Sequence, residues 1–219
     1  MDDLSLLRTR RWLAGVLPAW VRNPIEFLHL VALRHRNGVT VGRGARLHGS
    51  PIVEVAAGST ISIGRAASLI SSASATALGV AHPVVLRTLA PEARIRIGDD
   101  CGLSGTSVCA VVRVEFGDRV LVGADALVTD TDFHPIDILP RRYEQVPRAH
   151  PEDEVRIGDD VFIGARAVVL AGSTIGDGSV IGAGSVLKGE IPSGVVASGN
   201  PCRVVRSLGS APTSKREPS

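Results

Sequence analysis

The stretch VRIGDDVFIGARAVVLAGSTIGDGSVIGAGSVLKG, residues 155–189, decides the fold. An aliphatic residue recurs at every sixth position of this stretch, six times without a break. The six positions are Ile157, Ile163, Val169, Ile175, Ile181 and Leu187. A period of six fits a unit of one short strand and one tight turn, because strand side chains alternate between inside and outside. A helix with 3.6 residues per turn would spread these positions around its circumference.

Glycine directly follows four of the aliphatic residues and suits a tight turn, because it accepts a positive φ. Stacked units of this kind predict a β-helix, in which each coil buries its interior only against its neighbours. The alternative is an ordinary glycine-rich β-sandwich. Hydrophobic residues make up 44% of the chain and aromatic residues only 3%, which favours a narrow core of Val, Ile, Leu and Ala.

The same rhythm occurs in two earlier arrays, which begin at Val39 and Ile95. Residues 73–93 lack it and are expected to leave the coil as a loop. In the array from Ile95 one residue is inserted. The inward positions predicted for that array are Ile97, Leu103, Cys109, Phe116, Val122 and Val128.

Three segments are predicted: an N-terminal helical segment at residues 1–38, a β-helix domain at residues 39–208, and a disordered tail at residues 209–219. The first segment combines arginines with an apolar run, which charged residues interrupt too often for a membrane span. Two interpretations of it remain open: a cap over the open end of the β-helix, and a basic, apolar contact with the inner face of the membrane.

The net charge of +2 does not predict a nucleic-acid partner. Three cysteines, Cys101, Cys109 and Cys202, have no metal-ligand spacing. They are interpreted as reduced core or loop residues of a cytoplasmic protein, and no metal site is expected.

The rhythm ends on TDTDFHP, residues 129–135, and a non-periodic loop at residues 135–154 follows. Long loops inside a compact repeat array are often functional. His134 is the candidate general base, since histidine is the usual base at neutral pH. Asp130 and Asp132 are candidates to orient its ring. The alternative is a surface histidine beside two solvated carboxylates.

Residues 39–208 resemble the hexapeptide-repeat O-acyltransferases. Besides the repeats, the resemblance is carried by the segments DTDFHP, VFIGARAVV, GDGSVIGAGSVL and GNPCRVVR. The similarity is greatest to maltose and galactoside O-acetyltransferases and to polysaccharide O-acetyltransferases. It implies a mainly β fold, a left-handed parallel β-helix of triangular section. It further implies acetyl-CoA as donor and a homotrimer with active sites between subunits, each covered by the loop at residues 135–154 of a neighbour.

The resemblance also implies residue roles. His134 matches the catalytic base, and the backbone N–H groups of Ala165 and Ala183 match those that hold the pantetheine arm of CoA. Further cofactor-binding positions are Phe162 beside the cleft and, near the phosphates, Lys188, Arg203 and Arg206, although Lys188 lies one position early. For the acceptor, Thr106 replaces the asparagine of the galactoside enzymes, with Ser104 nearby, and Arg142 lies in the loop. The sugar specificity of those enzymes is therefore not carried over.

The function predicted from the sequence is transfer of an acetyl group from acetyl-CoA to a hydroxyl of a sugar or glycan. Transfer is expected to be direct, since a thioester is already activated. The alternatives are N-acetylation of an amino sugar and a non-catalytic hexapeptide scaffold. A zinc carbonic anhydrase on this fold would need three converging histidines, and the remaining histidines lack a coil-related spacing.

Overall fold

Short parallel strands stack into three sheets, which form the sides of a triangular prism. The computed structural model describes residues 24–143 and 150–209. The predictions for residues 1–23 and for most of the C-terminal tail therefore lie outside the described residues. Successive strands of the chain belong to sheets A, B and C in turn, so each coil contributes one strand to each side.

The strands are short and their bounds follow the hexapeptide rhythm. Sheet A contains β1 (Val39–Val41), β4 (Thr60–Ile63), β7 (Arg94–Ile97), β10 (Arg113–Phe116), β13 (Val155–Ile157), β16 (Thr174–Ile175) and β19 (Glu190–Ile191). Sheet B contains β2 (Arg46–His48), β5 (Ser68–Ile70), β8 (Gly102–Ser104), β11 (Leu121–Val122), β14 (Phe162–Ile163), β17 (Val180–Ile181), β20 (Val195–Ser198) and β21 (Arg203–Ser207). Sheet C contains β3 (Ile52–Glu54), β6 (Val85–Thr88), β9 (Ser107–Ala110), β12 (Leu127–Thr129), β15 (Val168–Val169) and β18 (Val186–Leu187).

The remaining described elements are one helix and three short 3₁₀ turns. Helix α1 (Pro24–Arg34) packs against β1 and β2 and buries Leu33. Glu26 accepts the Gly49 backbone N–H at 3.0 Å, which ties the helix to the second strand of the prism. The 3₁₀ turns are Ala73–Ala75, Arg141–Tyr143 and Pro151–Asp153. In the described part of the chain, no helix has the length and apolarity needed to cross a bilayer.

The core is a column of aliphatic side chains along the prism axis. The predicted positions from Ile157 to Leu187 are all buried. One inward position predicted in the array from Ile95 is wrong: Val108, not Cys109, is fully buried and lies in register with Leu86 and Val128. Leu103 and Val108 are five residues apart instead of six. A strict six-residue count from Leu103 therefore selects Cys109 and misses Val108.

The loop predicted at residues 73–93 is also shorter than expected. Residues 85–88 form strand β6, and Leu86 is fully buried in the core. The excursion therefore ends before Val84, which is itself buried. A single non-periodic strand carries too few repeats to be seen in a sequence pattern.

Three corners join the sheets, and each is named here by the sheets that it connects. At the A–B corner aspartates form a ladder: Asp99 accepts the Arg65 N–H at 2.7 Å and Asp118 accepts the Asp99 N–H at 2.8 Å. Asp159 and Asp177 repeat this contact in the next coils, again at 2.8 Å. Each carboxylate thus satisfies a backbone donor of the preceding coil, which fixes the coil spacing.

Candidate functional site

The C–A corner opens into a cavity where the chain leaves the prism after β12. Its volume is about 200 Å³. The lining includes Asp130, Asp132, His134, His150, Asp153 and Ala171. The cavity thus brings together the beginning and the end of the non-periodic loop at residues 135–154.

Backbone geometry places His134 at this cavity. Phe133 has a φ of 62°, in the left-handed region that a bulky residue seldom adopts. Its N–H donates to the Thr131 hydroxyl at 3.1 Å, and the His134 N–H donates to the Asp132 carbonyl at 2.7 Å. Thr129 and Thr131 are buried, and the Thr129 hydroxyl donates to the Thr131 carbonyl at 3.2 Å. The segment before His134 is therefore held in one conformation by its own hydrogen bonds.

Asp130 is a buried structural carboxylate. Its oxygens accept the backbone N–H groups of Val111, Val112 and Arg113 at 2.7, 2.8 and 2.7 Å. Burial raises the pKa of Asp130, and the three backbone donors act in the opposite direction. Since its carboxylate holds the preceding turn, Asp130 is poorly placed to serve as the partner of His134. Asp132 is exposed and lines the cavity, so it stays the candidate for the orienting role.

The predicted CoA-binding alanines lie at a different corner, the B–C corner. Ala165 follows β14 and Ala183 follows β17, so they stand in equivalent turns of consecutive coils. Neither backbone N–H donates to a backbone acceptor among the described residues. A methyl group on Gly164 would overlap the Ala183 backbone nitrogen, which shows how closely these turns stack. Two neighbouring donors thus remain available to a ligand along this corner.

Beside these turns sheet B carries an apolar surface strip. Phe162 is 45% exposed, and its register partner Leu121 is 56% exposed. A prism side that leaves large apolar side chains uncovered is suited to a partner or a ligand.

The predicted basic contacts are divided between two places. Arg203 and Arg206 lie exposed on β21, which extends sheet B. Lys188 follows β18 and lies at the C–A corner, on the same side as His134. Within one chain Lys188 therefore does not join Ala165, Ala183 and Phe162.

The three acceptor candidates differ in accessibility. Thr106 is fully buried, and its hydroxyl donates to the Ser104 carbonyl at 3.3 Å. It is therefore used inside the B–C turn and is not presented to an acceptor, whereas Ser104 is half-buried on β8. Arg142 is exposed, with its guanidinium carbon 6.0 Å from the Tyr143 ring centroid, and it does not line the His134 cavity.

The cavity also contains residues that the sequence did not reveal. His150 and Asp153 line it from the far end of the loop. The His150 N–H donates to the Asp153 carboxylate at 3.2 Å. Both residues lie where the hexapeptide period is absent, so no spacing pointed to them. Among the described residues, no group of three or more His, Cys, Asp or Glu side chains is arranged to hold a metal ion.

Comparisons with known proteins bear on the repeats and on the fold. Residues 154–189 match the bacterial transferase hexapeptide family, described as six repeats. No protein with a curated description matches the sequence. The fold is thus shown to be mainly β, a left-handed parallel β-helix of hexapeptide repeats with a short N-terminal helix, as predicted.

The solved structures that share this fold include the following three. A mutant of AntD, an N-acyltransferase from Bacillus cereus in complex with dTDP and coenzyme A, has a TM-score of 0.60 at 16% identity, covering 84% of this chain and 89% of that chain. A hexapeptide-repeat acetyltransferase from Vibrio cholerae complexed with acetyl-CoA has a TM-score of 0.54 at 21% identity, covering 95% and 92%. A galactoside acetyltransferase in complex with coenzyme A has a TM-score of 0.51 at 25% identity, covering 84% and 78%.

Proposed function

We propose that this hexapeptide-repeat chain is a CoA-dependent acyltransferase that moves an acetyl group from acetyl-CoA to a hydroxyl of a sugar or glycan. The observation that carries the proposal is the cavity at the C–A corner, with His134 on a hydrogen-bonded, left-handed turn at its rim. The structural likeness to acyltransferases, including a galactoside acetyltransferase at 25% identity, supports the reaction class.

In this proposal His134 takes the proton of the acceptor hydroxyl while the hydroxyl oxygen attacks the thioester carbonyl. The new C–O bond forms as the C–S bond breaks, and the protonated imidazole returns its proton to the departing CoA thiolate. Asp132 orients the imidazole from the cavity wall. The three cysteines are buried and carry no acyl group in this scheme.

The proposal requires more than one chain. Ala165 and Ala183 lie at the B–C corner, whereas His134 lies at the C–A corner. One side of the prism separates them, on the order of 15 Å for a strand and its turns at about 3.3 Å per residue. A homotrimer with threefold symmetry would set the C–A corner of each chain against the B–C corner of the next, which closes three equivalent sites.

The test is product analysis by mass spectrometry after incubation of the protein with acetyl-CoA and a panel of neutral sugars, charged sugars and oligosaccharides. An acetylated product that loses its acetyl group in mild alkali establishes O-transfer, whereas an alkali-stable product from an amino sugar establishes N-transfer. A non-catalytic scaffold would show no binding of CoA in calorimetry and would form no acetylated product.

The location at the inner face of the membrane also stays a proposal. Helix α1 exposes Ile25 and Leu28, 64% and 63% accessible, one turn apart on its outer face. An exposed apolar pair on a helix that carries Arg34 in its last turn suits an interface with anionic lipid. Co-sedimentation with anionic vesicles, and its loss in Leu28→Glu, tests this contact; equal sedimentation of both proteins contradicts it.

A further inference from the structure

A second groove lies beside the His134 cavity, one coil towards the N-terminus along the C–A corner. Its volume is about 310 Å³. Arg94 and Arg113 line it together with Glu92 and the turn at residues 111–112. None of the roles described above uses this groove.

The two arginines stand side by side on neighbouring strands. Arg94 on β7 is the register partner of Arg113 on β10, and parallel neighbours lie about 4.8 Å apart. The Arg113 Nε lies 3.6 Å from Glu154 and 4.0 Å from Glu115, so its charge is partly balanced. Arg94 is exposed and forms no ion pair or side-chain hydrogen bond with any described residue.

The groove and the cavity share a wall. The backbone N–H groups of Val111, Val112 and Arg113 bind the Asp130 carboxylate, and Asp130 itself lines the cavity. On the other side Pro151 lines the groove, while its neighbour His150 lines the cavity. The turn at residues 111–113 and the chain at residues 150–151 therefore lie between the groove and the cavity.

We propose that this groove binds an anionic group of the acceptor, a phosphate or a carboxylate carried by the sugar, while the hydroxyl to be acetylated reaches His134. The proposal rests on the acyl-transfer function proposed above and names its substrate class. A guanidinium binds carboxylate or phosphate oxygens through two parallel hydrogen bonds, and two adjacent guanidiniums relieve their mutual repulsion when an anion lies between them. Because Glu154 and Glu115 lie near Arg113, the guanidinium available to an anion in the groove is that of Arg94.

Direct binding tests the groove without any catalysis. Titrations of the full-length protein, in the absence of acetyl-CoA, compare glucose 1-phosphate, glucuronate and glucose by calorimetry. Either anion is expected to bind at least about tenfold more tightly than glucose, since a charge-assisted hydrogen bond contributes that much or more. The two anions distinguish a phosphorylated acceptor from a uronate.

Arg94→Gln is expected to lose that preference, and Arg94→Lys, which keeps the charge without the fork, to lose part of it. Arg96→Gln is the matched control, because Arg96 lies exposed on the same strand but outside this groove. Thermal melting of each variant checks that it folds. Equal binding of glucose and both anions, or unchanged anion binding by folded Arg94→Gln, overturns the proposal.

The same experiments separate the two proposals. Anion binding that depends on Arg94, together with no acetyl transfer to any acceptor, would support the anion-binding groove and contradict the acyltransferase function. Acetyl transfer with equal kcat/KM on neutral and anionic acceptors would support the acyltransferase function and contradict the role of the groove in acceptor binding.

Discussion

His134 and Ala165 lie on opposite sides of sheet C, at opposite ends of its strands. His134 belongs to the connection that leaves this sheet after β12, and Ala165 to the turn that enters it before β15. The two strands are direct neighbours in register, Leu127 with Val168 and Val128 with Val169. A reaction that uses both the C–A corner and the B–C corner therefore needs one of these corners from another chain.

Mixed oligomers test this arrangement. His134→Ala removes the base, and Ala183→Trp places a bulky side chain over the exposed B–C corner. Each homomeric variant is expected to be inactive, but a threefold trimer that contains both variants should regain about one site in three, because one of its three interfaces pairs two intact corners. Activity is measured on trimers purified through two different tags. No recovery in such mixed trimers would place each site within one chain.

Removal of the base tests the mechanism. His134→Ala is expected to lower kcat by about 10²–10⁴, the usual contribution of a general base. His35→Ala, on the exposed surface after helix α1, is the control and should retain wild-type turnover. Circular dichroism and thermal melting should be alike for all three proteins. Normal turnover by a folded His134→Ala protein would remove this residue from the mechanism.

The two aspartates before His134 should respond differently to amidation. Asp130→Asn replaces one acceptor oxygen by a donor that faces backbone N–H groups, so the free energy of unfolding should fall by about 1–3 kcal/mol. Asp132→Asn should leave stability nearly unchanged, since this side chain is exposed, and should lower kcat instead. Urea unfolding and steady-state kinetics measure both quantities. Equal unfolding midpoints would contradict the structural role of Asp130.

Glycine substitutions test the close stacking of the B–C turns. Gly164→Ala forces a methyl group against the Ala183 backbone, so we expect a loss of about 1–3 kcal/mol in unfolding free energy. Gly102→Ala is the matched control: its methyl would meet only the end of the Leu121 side chain, at 3.1 Å, which can move. The control should unfold at nearly the wild-type urea concentration. A Gly164→Ala protein that is as stable would show that the turns can separate without cost.

The cysteines should be inert in the folded protein. Burial raises the pKa of Cys101 to about 11, and it also raises the pKa of Cys109 and Cys202. At pH 8 the thiolate fraction of Cys101 is therefore on the order of 0.1%, and it becomes large only as the pH rises through 11. A disulfide reagent at pH 8 should label all three cysteines in guanidinium and none rapidly in the native state. Rapid native labelling would reopen a cysteine acyl-enzyme.

The six-residue period predicts the fold well because each inward residue meets its counterparts in the coils above and below. Ile163, for example, lies in register with Val122 and Ile181. The same count selected Cys109 instead of Val108, since a unit of five residues moves the next inward position by one, to the other face of the strand. It also missed β6, a single strand between two irregular segments.

The candidate site was only partly predictable. The end of the rhythm points to His134, but the role of Asp130 depends on contacts with residues 111–113, one coil earlier in the stack. The burial of Thr106 and the division of the CoA-binding candidates between two corners likewise arise from the winding of the chain, which a linear spacing does not express. His150 and Arg94 become neighbours of the site only through that winding.

The final strand has a consequence for how these molecules coexist in solution. β21 turns back and pairs antiparallel with β20, in contrast to all the other strand pairs described. Its edge is bent by a register shift between Val196 and Ala197 and carries arginines. This edge therefore offers a strand of another copy neither a flat nor an uncharged surface, which disfavours pairing between copies at this end of sheet B.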